Sequence, residues 1–326
     1  MRSERVTVLR ENRQGRPNPF SGFTRTRLVG SVSNESMSSP DDTIDPATAF
    51  GALSDPCRVE IIEALANTHR ERPGNPTLSF SELRKRVGVR DSGRFLYHLN
   101  ELRDHFIEKT DEGYRLNYAG VEMAASILAG TYTERETLGP VELDSTCIDC
   151  DGPASGQYEN GILTVACEND HLLFQWGLPP NAAADATVEK LVELATTLLF
   201  HAVELSLVST CPKCYDTMTT VAESVEPEHL APRFHATCGT CGCMILGPLV
   251  FCLLGQTDVN AFYHRHGRSV ETAYLWELEF AGNDASLVAE EDDGRYVLSF
   301  RLDDEELSIT IDDTAHVVET TRRTVE

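Results

Sequence analysis

The residues best equipped for chemistry are cysteines at short, fixed spacing. Cys211-Pro-Lys-Cys214 and Cys238-Gly-Thr-Cys241 are C-x2-C pairs enclosing the strand-like stretches TMTTVAES and RFHATC. Such a pair offers two thiolates from one tight turn, and two turns brought together close a tetrahedron around zinc. Cys147, Cys150, Cys167 and His171 form another set, C-x2-C followed by C-x3-H. Its fourth place goes to His171, or else to Asp170 or a water. Cys243, just past Cys241, is either a substitute ligand or a nearby thiol. The rival chemistry, thiol–disulfide exchange, wants a thioredoxin-like setting, and this chain has matched pairs instead. The spacing predicts two zinc ions per chain, each with four protein ligands and no open position, which argues against catalysis. Sites of this kind contribute about 10–16 kcal/mol of apparent binding energy to folding. A sensory role, with thiol oxidation releasing the metal, is the alternative to a structural one.

Each pair needs a hairpin to bring it to its mate. Residues 156–158 and 162–165 read as strands joined by Asn160-Gly161, a strong hairpin signal, which predicts a zinc ribbon over 138–180. A second ribbon spans 210–247, and the repeated plan suggests a duplicated unit. Between them, 181–209 is rich in Ala and Leu and predicts one helix, either a spacer packed between the ribbons or a dimer helix. Beyond them, 248–326 predicts two short helices followed by AYLWELEF, SLVAE, RYVLSFRL, ELSITID and HVVETTRR as strands of an antiparallel sheet. That region would hold an effector, whose identity is unknown, or dimerise. His264 and His266 have no nucleophile or carboxylate motif beside them and read as surface or packing histidines.

Composition sets the setting. The chain has 326 residues, enough for two or three domains. Asp plus Glu number 52 against 28 Lys plus Arg, a formal net charge of −24, and Lys occurs only at 85, 109, 190 and 213. An acidic, Lys-poor surface suits a cytoplasm of high salt, where repulsion is screened and hydrated carboxylates keep a protein dissolved. A halophilic source is predicted, an ordinary acidic protein being the alternative. The most apolar run, MILGPLVFCLLG, is 12 residues long, whereas a spanning helix needs about 20. The basic start lacks the apolar block of a secretory signal. A cytoplasmic protein without membrane contact is expected, and reduced thiols there favour metal ligation over disulfides. Residues 1–43 predict a disordered extension; a basic arm touching DNA, or a true start at Met37, are the other readings.

Against this acidity stands one basic island. Arg84, Lys85, Arg86, Arg90 and Arg94 fall within 84–98 with only Asp91 opposing them, while the chain from Met37 onward carries 21 basic and 49 acidic residues. The elements around the island read helix, helix, helix, hairpin over 44–137. Pro56 opens a helix after Ser54 or Asp55, Ser79 or Ser81 caps the next, and Gly88 ends it. A third helix starts at Asp91 or Ser92 with Phe95, Leu99, Leu102 and Phe106 inward. Ile107–Thr110 and Tyr114–Asn117 then form a hairpin about Asp111-Glu112-Gly113. This is the order of a winged helix-turn-helix, whose third helix enters the major groove by its amino-terminal end. Ser92, Arg94, Tyr97 and His98 are expected on the outer face of that helix, with Arg84, Lys85, Arg86 and Arg90 on phosphate; the alternative is a solvated face. The apolar stretch 118–136 continues with Val121, Ala124, Ala125 and Leu128 at helical spacing. It serves a dimer interface or packs within its own domain.

ALSDPCRVEIIEAL, GRFLYHLNEL and TDEGYRL together resemble the ArsR-type winged-helix transcription regulators in their haloarchaeal form, over about 46–120. The resemblance implies a homodimeric, double-stranded-DNA-binding repressor or activator. The metal-sensing cysteine pair of the arsenic-responsive founders is not carried over, because Cys57 is the only cysteine in this part of the chain. The expected whole is an α+β multidomain protein: winged helix-turn-helix, two zinc ribbons with an intervening helix, and a C-terminal antiparallel sheet with short helices. The leading function is a sequence-specific transcription regulator. The alternative is a zinc-ribbon adaptor that binds RNA polymerase or other proteins through its winged-helix module. No Gly-rich phosphate loop, His-rich open metal site or Ser/His/Asp order supports an enzyme.

Overall fold

The computed structural model describes residues 44–224, 232–280, 288–290 and 294–325. The extension expected over 1–43 lies outside the described residues. The chain divides into two compact units, one ending at Ser54 and one running from Asp55 to Glu326. In the first, helix α1 (Pro46–Gly51) is capped by Asp45, whose carboxylate accepts the Thr48 N–H at 3.2 Å.

The second unit opens with α2 (Pro56–Glu71), α3 (Phe80–Val87) and α4 (Ser92–Arg103). Each begins where a short polar side chain can satisfy amide groups left free at a helix start. Asp55 accepts the Cys57 N–H at 2.9 Å, and Asp91 accepts those of Gly93 and Arg94. Ser79 and Glu82 close a reciprocal capping box on α3. Gly88, at φ 76°, ends α3 in a left-handed turn that a side chain would resist. Strands β1 (Ile107–Thr110) and β2 (Gly113–Leu116) pair antiparallel, so Gly113 is the first residue of β2 rather than part of the turn. Tyr114 also exchanges backbone hydrogen bonds with Leu78, tying the entrance of α3 to the hairpin. Helix α5 (Tyr118–Leu128) follows, shorter than the apolar stretch suggested. Ile61, Ile62, Leu65, Leu83, Phe95, Leu99, Leu102 and Phe106 are buried in this part. Gly120 lets α5 approach closely: a Cβ there would stand 2.0 Å from the Phe106 carbonyl oxygen.

Two antiparallel sheets carry the cysteines. The first has four strands in sequence order, β3 (Thr137–Thr146), β4 (Pro153–Glu159), β5 (Ile162–Cys167) and β6 (Leu172–Gly177). Asn160 and Gly161, both at positive φ, make the β4–β5 turn. The outer strands are additions to the expected hairpin. The region 181–209 is two helices, α6 (Pro180–Ala183) and α7 (Val188–Leu207), because the Thr187 side chain accepts the Lys190 N–H and starts a new helix. The second sheet is β7 (Met218–Glu223), β8 (Arg233–Cys238) and β9 (Met244–Pro248).

A 3-10 turn (Leu249–Leu253) and α8 (Thr257–Arg265) lead to a four-stranded antiparallel sheet of β10 (Val288–Glu290), β11 (Tyr296–Leu302), β12 (Glu305–Ile311) and β13 (Val317–Thr324). AYLWELEF is not a strand. Trp276, Leu278 and Phe280 do alternate as buried residues with Glu277 and Glu279, but the segment turns in 3-10 form at Leu275–Glu277 and pairs with no strand among the described residues. One apolar core runs through both cysteine sheets, α7 and the last sheet, from Leu143 to Ala315. The chain is thus α+β with several small antiparallel sheets, and no helix among the described residues is long and apolar enough to cross a membrane.

Candidate metal centres and nucleic-acid interface

The ends of the cysteine sheets are built from one repeated turn. The N–H of Cys147 donates to the Gly152 carbonyl at 2.8 Å, that of Cys211 to Asp216 at 2.8 Å, and that of Cys238 to Cys243 at 2.9 Å. Within each loop the N–H of Asp151, Tyr215 or Gly242 returns to the carbonyl of that first cysteine, and all three residues sit at positive φ. The fourth turn is one residue tighter: the Cys167 N–H donates to the His171 carbonyl at 3.1 Å, with Asp170 at φ 60°. The fourth donor of this cluster comes from His171, the residue whose carbonyl closes the turn.

These turns bring the ligands together. Cys147, Cys150, Cys167 and His171 place one donor atom each within 4.8 Å of the others, as do Cys211, Cys214, Cys238 and Cys241. Cys147 Sγ lies 3.5 Å from His171 Nδ1, and Cys150 Sγ lies 3.7 Å from Cys167 Sγ. In the second cluster the Cys211–Cys241 and Cys214–Cys238 sulfurs are 3.6 and 3.5 Å apart. A tetrahedral ion with metal–sulfur bonds of about 2.3 Å separates its sulfurs by about 3.8 Å, so both clusters have the size of a closed four-ligand metal site. All ten cysteines are free thiols. Cys243 is not one of the four clustered donors; its carbonyl closes the knuckle, and its thiol lies beside Cys211.

Backbone and amide donors prepare the sulfurs for negative charge. Asp149 and Lys213 N–H groups point at Cys147 Sγ and Cys211 Sγ, each at 3.4 Å. The Asn169 amide draws the Cys150 thiol down to about 6, while burial pushes Cys147 up to about 11. Burial works against Cys211, yet the Cys214 and Lys213 N–H groups bring it to about 6. Each cluster therefore favours a thiolate near neutral pH, the form that binds metal.

The basic island divides on inspection. Lys85, Arg90, Ser92, Arg94 and Tyr97 are exposed, and Arg84 is half-buried, donating to the Arg90 carbonyl at 3.1 Å. Arg86 is engaged by Glu71 through two contacts, at 2.7 and 3.3 Å, which holds the Glu71 carboxyl below its usual range. His98 departs from expectation. It is 5% exposed and faces inward with Phe95, Leu99 and Leu102, its neighbours at i−3, i+1 and i+4 on one helical stripe. Its Nδ1 has no hydrogen-bond partner among the described residues, and it sits with Asp55 and Cys57 in a third cluster of donor atoms within 4.8 Å. The sequence did not join these three, because Cys57 was a single thiol far along the chain from His98. His266, by contrast, packs between Asp303 at 2.8 Å and Glu305 at 3.2 Å.

Residues 144–317 match a family described as a domain of unknown function, DUF7351, and residues 46–127 match a second, DUF7347. The first match takes in both cysteine clusters; the second takes in α2 to α5. No curated protein matches the chain.

Proposed function

The chain belongs to DUF7351, a family of unknown function, and from its own residues we propose that it is a sequence-specific, double-stranded-DNA-binding transcription regulator of the ArsR-type winged-helix kind. The observation that carries this reading is the amino-terminal face of α4. Ser92, Arg94 and Tyr97 stand exposed there, with Lys85 and Arg90 just before it and exposed too, on a chain whose net charge is −24. A strongly anionic protein that binds a polyanion must gather cations at the contact. In this reading α3 and α4 are the helix-turn-helix, β1 and β2 are the wing, and Arg86 is held back by Glu71.

The two closed clusters hold zinc as structural ions, since all-cysteine and Cys3His sets with no open position suit it. The protein acts as a homodimer. Tyr118, Val121, Leu128 and Tyr132 are exposed on and just after α5, an apolar stripe suited to meeting its own copy. One observation favours the adaptor reading instead. Val221 and Leu246 are exposed on either side of His235 across β7, β8 and β9, with Met244 beside them, an apolar row that a protein partner could cover.

Crosslinking the protein to chromatin in cells separates the two. The regulator reading expects discrete promoter sites that vanish in an Arg94→Ala/Tyr97→Ala variant. Promoter occupancy that persists in this variant while a protein partner is lost would favour the adaptor.

A further inference from the structure

Three chemistry-bearing side chains converge outside the ribbons. Asp55 caps α2, Cys57 lies in its first turn, and His98 sits midway along α4. Where the two helices cross, Arg58 of α2 reaches Glu101 of α4 at 3.3 Å. Asp55 Oδ1 is steadied by the Cys57 N–H at 2.9 Å. His98 Nδ1 is buried without a hydrogen-bond partner among the described residues, 3.8 Å from Asp55 Oδ1, too far for a hydrogen bond. Leaving a buried polar atom unpaired is costly, so an orphan nitrogen beside a carboxylate and a thiol wants an occupant. The gap suits an ion bonded to nitrogen and oxygen at about 2.0–2.2 Å each. Thiolate, imidazole and carboxylate together select borderline divalent ions such as zinc, cobalt or nickel over magnesium or calcium.

We propose that Asp55, Cys57 and His98 form a third metal site, with three protein ligands and one open position, whose occupancy releases Arg94 toward DNA. The second half of this proposal rests on the DNA-binding reading; the first half does not. Arg94 Nε–H points at His98 Nε2 from 3.5 Å, so without metal the ring proton belongs on Nδ1. A metal at Nδ1 moves that proton to Nε2 by way of solvent, leaving two N–H donors facing one another. Cys57 gives up its thiol proton to water, the one proton released overall. The three ligands go from a net charge of about −1 to about zero once a divalent ion is counted. Both changes loosen Arg94 from His98. Three ligands also make this site weaker and more readily reversible than the closed four-ligand ones.

The test uses the full chain with both ribbons loaded with zinc, titrated with cobalt(II), whose thiolate charge-transfer and visible bands report the site. The wild type is expected to take up one further equivalent with a thiolate band. Cys57→Ser and His98→Gln are expected to lose it while keeping two zinc per chain. Cys57 is half-exposed, so its serine variant folds even if the buried His98→Gln does not. No further equivalent in the wild type, or an unchanged band in Cys57→Ser, overturns the site. Cobalt should also tighten binding to a duplex recovered from cells several-fold in the wild type and not in Cys57→Ser. Cobalt uptake with unchanged DNA affinity overturns the coupling to Arg94 alone. If no form binds DNA, the DNA reading fails and the cobalt stoichiometry still decides the site.

Discussion

Asp151 and Tyr215 occupy the same place in two different knuckles. Each sits at positive φ, 57° and 61°, and each donates its N–H to the first cysteine of its loop, at 2.9 and 3.0 Å. Gly242 fills that place in the third knuckle at φ 70°. An L-residue with a side chain pays about 1–2 kcal/mol for this conformation, so Tyr215, which is 70% exposed and packs on little, is strained for the sake of the turn. Tyr215→Gly is expected to hold its metal and melt at or above the wild-type temperature. Tyr215→Val, branched at Cβ, is expected to melt lower by roughly 1–2 kcal/mol of stability. Calorimetry on the metal-loaded proteins checks both signs.

Removing one ligand should cost a whole ion. Cys241 is exposed, so Cys241→Ser loses little packing. It should reduce bound zinc from two per chain to one by elemental analysis. Because Cys211 and Cys238 of the same cluster belong to the core that runs from Leu143 to Ala315, the damage will not stay local. A loss of a few kcal/mol moves the midpoint by about 10 °C in a domain of this size. Retention of two zinc ions by Cys241→Ser would remove that cluster from the account.

A pH dependence follows from the last sheet. Arg301, Glu306 and Arg323 form a row across β11, β12 and β13, and Glu306, only 5% exposed, accepts from Arg301 Nε and Arg323 Nε, each at 2.8 Å. The Arg301 hydrogen bond, despite opposition from burial, holds the Glu306 carboxyl below its usual range. Its folded-state pKa is therefore the depressed one. The stabilisation is present above the ordinary glutamate value near 4.5 and is lost as pH falls through the lower folded value. Glu306→Gln should melt below wild type at pH 7, and the gap should close as acid is added below about pH 4.5. A gap that widens in acid would contradict the assignment.

Much of this was legible because local chemistry announces itself. Pro56, Ser79, Gly88 and Asp91 marked the ends of α2, α3 and α4, and Asn160-Gly161 marked its turn. The cysteine spacing named both clusters, and His171 stands with the three sulfurs of the first within 4.8 Å. His98 was misjudged by residue type. Its position one before Leu99 and three after Phe95 put it on the buried stripe, and only its polarity suggested the surface. Strand β3 was invisible because much of its length is exposed and Gly139-Pro140 interrupts any alternation. That the ribbons and the last sheet share one core is a long-range fact no window of sequence contains. The meeting of Cys57 with His98 is of the same kind.

The central claim is that α4 meets duplex DNA through its exposed basic start, and a salt titration tests it most directly. Binding of a recovered duplex is measured by fluorescence anisotropy across a range of KCl for the wild type, Arg94→Ala, Arg94→Ala/Tyr97→Ala and, as a control on the distant sheet, Arg301→Ala. The account predicts a linear fall of log affinity with log salt, a slope lower by about one for Arg94→Ala, near-complete loss for the double variant and no change for Arg301→Ala. A double variant that binds as tightly as wild type, with the same slope, would contradict it.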